Sequence, residues 1–231
     1  MNNIQHSIRV IARLDIKSEN VIKGVSFEGL RVMGHPKDLA MKYVDQGADE
    51  LIYIDTVASL YGRNNLYHVL QDMAQNIHIP ITAGGGVSTL EDIDMLLKSG
   101  ADKVAINTYA VKDPVLISKA ANKYGSQCIV SSVVVKKIDN NWFIWTDNAR
   151  EPTNIKLLDW ILKVQELGAG EILLTSIDND GKMGGFDNEL IDYIYPFISV
   201  PVIIGSGFNS VKSCVNILKK HSIDAISIGS A

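Results

Sequence analysis

"GADELIYID" at residues 47–55 recurs in altered form as "GAGEILLTS" at residues 168–176, and this repeat decides the fold. A second pair, "IPITAGGG" at residues 79–86 and "VPVIIGSG" at residues 200–207, has the same spacing of 121 residues. Two pairs of segments with one common spacing indicate that the second half of the chain repeats the architecture of the first.

Short apolar segments alternate with segments of helical period, which favours βαβ units and a parallel sheet. We predict eight strands: IRVIARLD ending at Asp15, ELIYID at Asp55, IPITAG at Gly84, KVAIN at Asn107, QCIVSSVVV near Val135, EILLTS at Ser176, VPVIIG at Gly205 and DAISIG at Gly229. A hairpin that turns at Asp139 to Asn141 follows the fifth strand. Eight strands in two similar halves predict an α/β fold, a (β/α)8 TIM barrel of two half-barrels.

The domain prediction is one (β/α)8 barrel over residues 1–231, because no linker-like stretch separates the two halves. The sequence ends just after the eighth strand, so the final outer helix of such a barrel is absent from it. Either the chain is truncated or that helix comes from elsewhere.

Composition excludes several classes of protein. The chain has 46% hydrophobic residues, a net charge of -4, no apolar run of membrane-spanning length and no signal peptide in MNNIQHSIRV, so we expect a cytoplasmic protein without a membrane role. It has no basic cluster for nucleic acid. The histidines and the two cysteines lack metal-ligand spacing, and we expect neither a metal nor a cofactor.

Two clusters of glycine-containing turns lie at matching positions of the two halves. Active sites of such barrels lie at the carboxyl ends of the strands, where glycines let backbone N–H groups approach an anion. The first cluster contains Gly84, Gly85, Gly86, Asn107 and Thr108, and the second contains Asp180, Gly181, Gly207, Gly229 and Ser230. Tight turns without a ligand would also explain either cluster. Because each half has one, we predict a ligand with a phosphate at each end.

Asp15 ends the first strand on the face it shares with Arg13. A carboxylate at this end of a barrel is well placed for general acid or base catalysis, and we predict that role. A structural partnership with Arg13 or Lys23 is the alternative.

Charged residues also stand at the starts of four strands. Arg9, Glu50, Lys103 and Glu171 begin the first, second, fourth and sixth strands, so two cations and two anions would surround the opposite end of the barrel. They either form salt bridges that stabilise the core or form a gate over a passage through the barrel.

Longer stretches, which include most of these residues, resemble HisF, the cyclase subunit of imidazole glycerol phosphate synthase, along nearly the whole chain. The stretches are "LDIKSENVIKGVSFEGLR", "GADELIYIDTVAS", "PITAGGGV", "GADKVAINTYAVKDP", "YGSQCIV", "GAGEILLTSIDNDG" and "IDAISIGS". The resemblance implies a glutaminase partner at the barrel floor and ammonia that passes through the barrel to a phosphorylated substrate. It also implies that the four charged residues are the gate, that the glycine clusters bind phosphate, and that Asp15 is the first of two catalytic aspartates.

The second aspartate of the family aligns with Val134, which cannot transfer a proton. Arg13 and Phe208 also replace residues that are usually small in the family. These departures favour a HisF-like paralogue that supplies ammonia, together with a separate amidotransferase, for acetamidino modification of surface sugars. One alternative is a true cyclase of histidine biosynthesis, in which Asp178 or Ser132 replaces the missing acid. Another is a non-catalytic scaffold that activates a glutaminase.

Overall fold

The computed structural model describes residues 8–58 and 66–229 of the chain. Its strands are β1 (Arg9–Lys17), β2 (Asn20–Val25), β3 (Glu28–Gly34), β4 (Glu50–Asp55), β5 (Ile81–Gly84), β6 (Lys103–Ile106), β7 (Ile129–Ile138), β8 (Asn141–Thr146), β9 (Glu151–Lys156), β10 (Glu171–Ser176), β11 (Val202–Gly205) and β12 (Ala225–Ile228). Its helices are α1 (Pro36–Asp45), α2 (Leu66–Ala74), α3 (Leu90–Lys98), α4 (Thr108–Lys112), α5 (Val115–Tyr124), α6 (Leu157–Glu166), α7 (Asn188–Ile194) and α8 (Val211–Lys220). Short 3₁₀ helices span Ser126–Cys128 and Tyr195–Phe197.

Eight of these strands close into a parallel barrel. Their order is β1, β4, β5, β6, β7, β10, β11 and β12, and β12 pairs with β1 to complete the circle. Every neighbouring pair in this circle is parallel, and helices connect successive strands. The predicted (β/α)8 TIM barrel is therefore confirmed.

Alternation along the strands separates two apolar regions. The larger one lies between the barrel and its helices and includes Leu14, Leu51 and Ile172. A smaller cluster fills the barrel interior and consists of Ile11, Ile52, Ala105, Val130, Leu173, Ile203 and Ala225. Because successive side chains of a strand point to opposite faces, residues two positions from these interior residues also face inward. This rule places Arg9 and Arg13 on the inner face of β1.

Antiparallel strands extend the first strand of each half beyond the barrel. β2 and β3 continue from β1, and β8 and β9 continue from β7. The predicted hairpin turn at Asp139 to Asn141 is confirmed, with Asp139 and Asn140 at positive φ. The prediction that the first strand ends at Asp15 is wrong by two residues, because Asp15, Ile16 and Lys17 pair with β2.

No helix among the described residues is long and apolar enough to cross a membrane. The free cysteines differ in burial: Cys214 is buried and Cys128 is half-buried. In the described part of the chain, no group of three or more histidine, cysteine, aspartate or glutamate side chains is arranged to hold a metal ion.

Candidate functional site

The barrel has two charged ends, which we call the floor, at the amino ends of its strands, and the roof, at their carboxyl ends. At the floor, the four charged side chains predicted from the sequence do meet. Arg9 donates to Glu50 at 2.7 Å and to Glu171 at 2.6 Å. Lys103 lies 3.0 Å from Glu50 and 2.8 Å from Glu171. We call this closed square of alternating charges the floor ring.

Each carboxylate of the floor ring binds both cations. Glu50 uses Oε1 for Arg9 and Oε2 for Lys103, and Glu171 does the same. Burial alone would lower the pKa of Arg9, but the hydrogen bonds and charges of Glu50 and Glu171 outweigh it and leave the pKa raised. Both glutamates are buried, whereas the Arg9 side chain is 29% exposed. The two glutamates of the floor ring are therefore buried, and its cations reach the solvent.

Above the floor ring, the barrel interior is mostly apolar. Its cluster of isoleucine, leucine, valine and alanine side chains separates the ring from the roof. Thr82 pairs with Ile52 and Lys103, which places it on the same inner face, and Ser227 lies two residues beyond Ala225. The hydroxyls of Thr82 and Ser227 are buried, and neither has a hydrogen-bond partner within the described residues. The interior thus holds two unsatisfied hydroxyl groups in an apolar lining.

At the roof, a first cavity of about 60 Å³ collects part of the first predicted glycine cluster. Gly85, Asn107 and Thr108 line it together with Ser132 and Val134. The Asn107 side chain donates to the carbonyls of Ser132 and Trp145 at 2.9 and 3.2 Å. The Thr108 hydroxyl accepts from the backbone N–H of Asp147 at 2.9 Å. These contacts fix the loop that follows β6 beneath the cavity.

Gly84 and Gly86 flank the first cavity without lining it. Gly85 has a φ of +108°, and a Cβ there would lie 2.2 Å from the carbonyl oxygen of Asp55. Gly86 has a φ of +67°, and its Cβ would lie 2.7 Å from the Cβ of Ala58. The turn after β5 therefore needs glycine both for its backbone conformation and for its close packing on the end of β4.

A second roof cavity, of about 50 Å³, collects the predicted second cluster. Asp180, Gly181, Gly207 and Gly229 line it, and so do Asp15 and Lys23. Ser230, the remaining member of the prediction, lies outside the described residues. The two glycine clusters thus form two neighbouring cavities, as the repeat of the half-barrels suggests, and phosphate binding at either one stays a prediction.

Four charged side chains meet around the second cavity: Arg13, Asp15, Lys23 and Asp180. Burial raises the pKa of Asp180, and only part of this effect is offset by Arg13 and by the N–H of Phe27, which donates to the carboxylate at 3.2 Å. Burial likewise lowers the pKa of Lys23, against the attraction of Asp180 and Asp15. Asp180 is therefore an acidic residue close to the cations Arg13 and Lys23. The sequence analysis had instead placed it among the residues that bind phosphate.

Asp15 is in contact with a cation. Its Oδ1 accepts from Nε of Arg13 at 3.0 Å, so the structural partnership considered from the sequence is present. Burial lowers the pKa of Arg13, but Asp15 and Asp180 outweigh this and leave the pKa raised. The catalytic role of Asp15 stays a prediction, and any proton transfer by Asp15 would occur beside a permanent positive charge.

Val134, which the sequence analysis matched to the family's second aspartate, lies at the roof. It is buried, lines the first cavity, and pairs with Thr175 and Trp145. Of the two residues that the sequence analysis proposed to act in place of an acid at position 134, Ser132 lines the same cavity. Asp178 instead accepts from the backbone N–H of Lys137 at 2.9 Å. Only Ser132 is therefore well placed beside Val134.

Sequence reasoning missed the residue that holds Arg13 from across the barrel. Nη1 of Arg13 donates to Oγ1 of Thr175 at 3.2 Å, a contact between residues 162 positions apart. Thr175 shares the inner face of β10 with Glu171 and Leu173, so the alternation of side chains along the strand predicts that it lies inside the barrel. Its hydrogen bond with Arg13 could not be predicted in this way, because it depends on how the barrel closes.

Comparisons with known proteins agree with this architecture. The family model described as histidine biosynthesis protein matches residues 9–231. The chain is 53% identical over 207 residues to the imidazole glycerol phosphate synthase subunit HisF of Legionella pneumophila, which spans 89% of this chain and 98% of that relative. Two further proteins of the same name, from Flavobacterium johnsoniae and Saccharolobus solfataricus, are each 43% identical over 217 residues, which span 94% of this chain and 86% of each relative. The chain belongs to the histidine biosynthesis protein family, with relatives named imidazole glycerol phosphate synthase subunit HisF.

Proposed function

We propose that the chain is the HisF-type subunit of a glutamine-dependent enzyme complex, with a glutaminase bound at its floor. Ammonia released by the glutaminase enters at the floor ring and crosses the barrel to the roof, where a phosphorylated ligand binds. The floor ring is the observation that supports this proposal most directly. The name of the relatives, a subunit of imidazole glycerol phosphate synthase, supports it independently.

The floor ring has the properties of a gate rather than of a random set of surface charges. Its four ion pairs close the lower opening of the barrel, and all its members lie on inward-facing positions. Surface ion pairs contribute little to stability, and buried ones repay their desolvation only with good geometry. A partner that docks at the floor could exchange pairs with Arg9, the most exposed member, and so open a path.

The interior suits a small neutral molecule such as ammonia. Its apolar lining would exclude ammonium, because an unpaired charge is costly to bury. The unsatisfied hydroxyl of Thr82 lies below the second roof cavity, and the unsatisfied hydroxyl of Ser227 lines that cavity. Both can form hydrogen bonds with a molecule that passes. A molecule that both donates and accepts hydrogen bonds would satisfy these buried groups as it passes.

The roof supplies positions for the ligand. Backbone N–H groups of glycine turns bind phosphate in many proteins, and both roof cavities contain such a turn. Asp15 lines the second cavity and is the carboxylate that we assign to general acid or base catalysis there. The ligand is therefore a phosphorylated small molecule that places its reacting group near the barrel axis.

Two acceptors of ammonia are possible within this framework. The names of the relatives favour the first, imidazole formation from the bis-phosphorylated substrate of histidine biosynthesis. This was the alternative in the sequence analysis, and the comparisons support it better than they support the paralogue. In this case a group other than residue 134 must supply the second proton transfer, and Ser132 is the neighbour in the first cavity.

The second acceptor is the one that the sequence analysis favoured, an acetamido group converted to an amidine by a separate amidotransferase during modification of surface sugars. Two roof observations favour it: Val134 presents an apolar side chain to the first cavity, and Arg13 pairs with Asp15. In this case the barrel transmits ammonia and has lost the imidazole-forming reaction. A scaffold that only activates the glutaminase would have the same floor ring but would pass ammonia to no acceptor.

The shared part of the proposal is tested by adding the purified chain to a HisF-partner glutaminase and measuring glutamine hydrolysis. We expect hydrolysis to rise when the chain is added, and to rise less with an Arg9→Met variant. Hydrolysis that does not respond to the wild-type chain would contradict the proposal for both acceptors and for the scaffold.

The rate of imidazole formation from ammonium salts and the bis-phosphorylated substrate distinguishes the histidine-pathway acceptor from the amidine acceptor. Loss of a positioned general acid costs about 10²-fold to 10⁴-fold in rate, so the amidine acceptor predicts a trace of imidazole product that Val134→Asp increases and Val134→Ala does not. Wild-type turnover equal to that of a HisF cyclase from a relative would establish the histidine-pathway acceptor instead.

A further inference from the structure

The side chain of Arg13 reaches across the barrel interior at its roof end. Nη1 of Arg13 donates to Oγ1 of Thr175 on β10 at 3.2 Å, and β11 and β12 lie between β10 and β1 in the barrel circle. Thr175, Gly205 and Ser227 are paired in register, so the two intervening strands present only a glycine and a serine beside Thr175. These small residues leave room for the guanidinium. Arg13 therefore lies across the upper end of the path assigned to ammonia.

The two groups that hold the Arg13 guanidinium differ in chemistry. Nε donates to the carboxylate of Asp15 at 3.0 Å, whereas Nη1 donates to the neutral hydroxyl of Thr175. Hydrogen bonds between two charged groups are roughly twice as strong as bonds between neutral groups. No described residue accepts a hydrogen bond from Nη2. The guanidinium is therefore held more strongly at Asp15 than at Thr175, and it keeps unused donors.

The two groups also differ in their position relative to the roof cavities. Arg13 belongs to the lining of both cavities, and Asp15 belongs to the lining of the second. Thr175 is completely buried and belongs to the lining of neither. The bond to Thr175 thus holds one end of the guanidinium away from the space where a ligand would lie. A phosphate in either cavity would attract this end toward itself.

We infer that Arg13 is a ligand-binding residue that acts as a latch: its guanidinium leaves Thr175 and binds a phosphate of the roof ligand. The exchange replaces a bond to a neutral hydroxyl with a charge-assisted bond to phosphate, while Asp15 keeps Nε in place. It also withdraws Nη1 from the interior, which links ligand binding at the roof to the upper end of the ammonia path. The inference rests on the proposed function, since it assumes a phosphorylated ligand. It applies equally to a ligand with a phosphate at each end, because Arg13 borders both cavities.

Titration calorimetry with inorganic phosphate tests the latch through the sign of one effect. If Arg13 must leave Thr175 to bind phosphate, Thr175→Val removes a bond that competes with the ligand, so phosphate binds more tightly. We expect the affinity to rise about fivefold, the factor that corresponds to one hydrogen bond of ordinary strength. If Thr175 instead holds Arg13 in the position that binds phosphate, the same substitution lowers the affinity.

Thr175→Ser is the matched control, because it keeps the hydroxyl that accepts from Arg13, and its phosphate affinity should stay near that of the wild type. Arg13→Met removes the latch and should lower the affinity. In the Arg13→Met background, Thr175→Val should have no further effect, because the two residues no longer interact. Urea unfolding shows which variants are folded, and the comparison of Thr175→Val with Thr175→Ser decides the question even if Arg13→Met does not fold.

The results that overturn the latch are distinct from the result that overturns the proposed ligand. If phosphate binds to the wild-type chain but Thr175→Val leaves its affinity unchanged or lowers it, the latch is wrong and phosphate binding stands. The same holds if Thr175→Ser raises the affinity as much as Thr175→Val, or if a folded Arg13→Met variant binds phosphate as well as the wild type. If neither the wild type nor any variant binds phosphate, the phosphorylated ligand of the proposed function is wrong, and the latch with it.

Discussion

The floor ring and the second roof cavity contain the same set of charges, two cations and two carboxylates, in different arrangements. At the floor, Arg9 and Lys103 each bind both glutamates, so every carboxylate oxygen of the ring has a cationic partner. At the roof, Arg13 pairs with Asp15, while Asp180 acts on Arg13 and Lys23 across a cavity. The same numbers of cations and carboxylates therefore form a closed ring of ion pairs at the floor and line a cavity at the roof.

The difference lies in what the charges surround. The side chains of the floor ring are paired with one another, and Arg9, Lys103 and Glu171 also line an open cavity outside the ring. The roof charges surround space that two glycine turns keep open, and burial leaves Asp180 with a raised pKa. We therefore propose that the floor closes on itself until a partner opens it, whereas the roof receives a ligand.

The largest effect on stability is expected from breaking the floor ring. Glu171→Gln keeps the size of the side chain and removes one of two anions that hold Arg9 and Lys103. Arg9 and Lys103 would then share Glu50 alone, which leaves one positive charge in excess at a partly buried site, and we expect the free energy of unfolding to fall by about 3 kcal/mol. Urea unfolding at neutral pH measures it.

Glu189→Gln is the matched control, because it breaks another lysine–glutamate pair by the same substitution. Glu189 lies 2.5 Å from Lys137, but its side chain is 68% exposed, against 6% for Glu171. Exposed pairs contribute less than about 1 kcal/mol. Equal destabilisation by the two variants would show that the floor ring is an ordinary surface network.

A smaller effect is expected when the roof turn after β5 is altered. Gly85→Ala places a Cβ against the carbonyl of Asp55 at a φ of +108°, and such strain costs on the order of 1–3 kcal/mol. Phosphate affinity at the first cavity should fall with it. Gly184→Ala is the control, since a Cβ there meets nothing within 4 Å and Gly184 is not among the positive-φ glycines. Unchanged phosphate binding by Gly85→Ala would show that this turn is not part of the ligand site.

The smallest effect concerns the pH dependence of the roof. Burial raises the pKa of Asp180 above its ordinary value of 3.8, so the folded state binds this proton more tightly than the unfolded state. The wild-type chain therefore loses stability from this group as pH rises from about that value through the folded-state pKa. Asp180→Asn removes the loss and keeps an oxygen for the N–H of Phe27. We expect its stability relative to wild type to increase with pH, and two parallel curves in urea unfolding would contradict this.

Much of the barrel could be predicted from the sequence, because its strands are apolar on both faces and separated by helical segments. The hairpin after β7 was found through its Asp139 to Asn141 turn. By contrast, β2, β3 and β9 were missed. β3 and β9 are exposed or half-buried along their whole length, so neither shows the apolar alternation that marks a strand.

The candidate site was predicted in outline. The floor ring followed from charges at the strand starts, since a closed barrel brings those positions together. The position of Arg13 did not follow, because its contact with Thr175 and its place in the lining of two cavities depend on how the barrel closes. Local sequence patterns specify which side chains face inward, and only the three-dimensional closure decides which of them meet.

The measurement that tests the central claim most directly is the ratio of glutamine-driven to ammonia-driven product formation in the Lys103→Met variant. It is made in the complex with the glutaminase, with the acceptor that the wild-type complex uses, and with thermal unfolding followed alongside. If the floor ring is the entrance for ammonia, the ratio falls by about tenfold, because ammonium salts can reach the acceptor from the open roof. If Lys103 only stabilises the fold, both rates fall together, and an unchanged ratio would contradict the account.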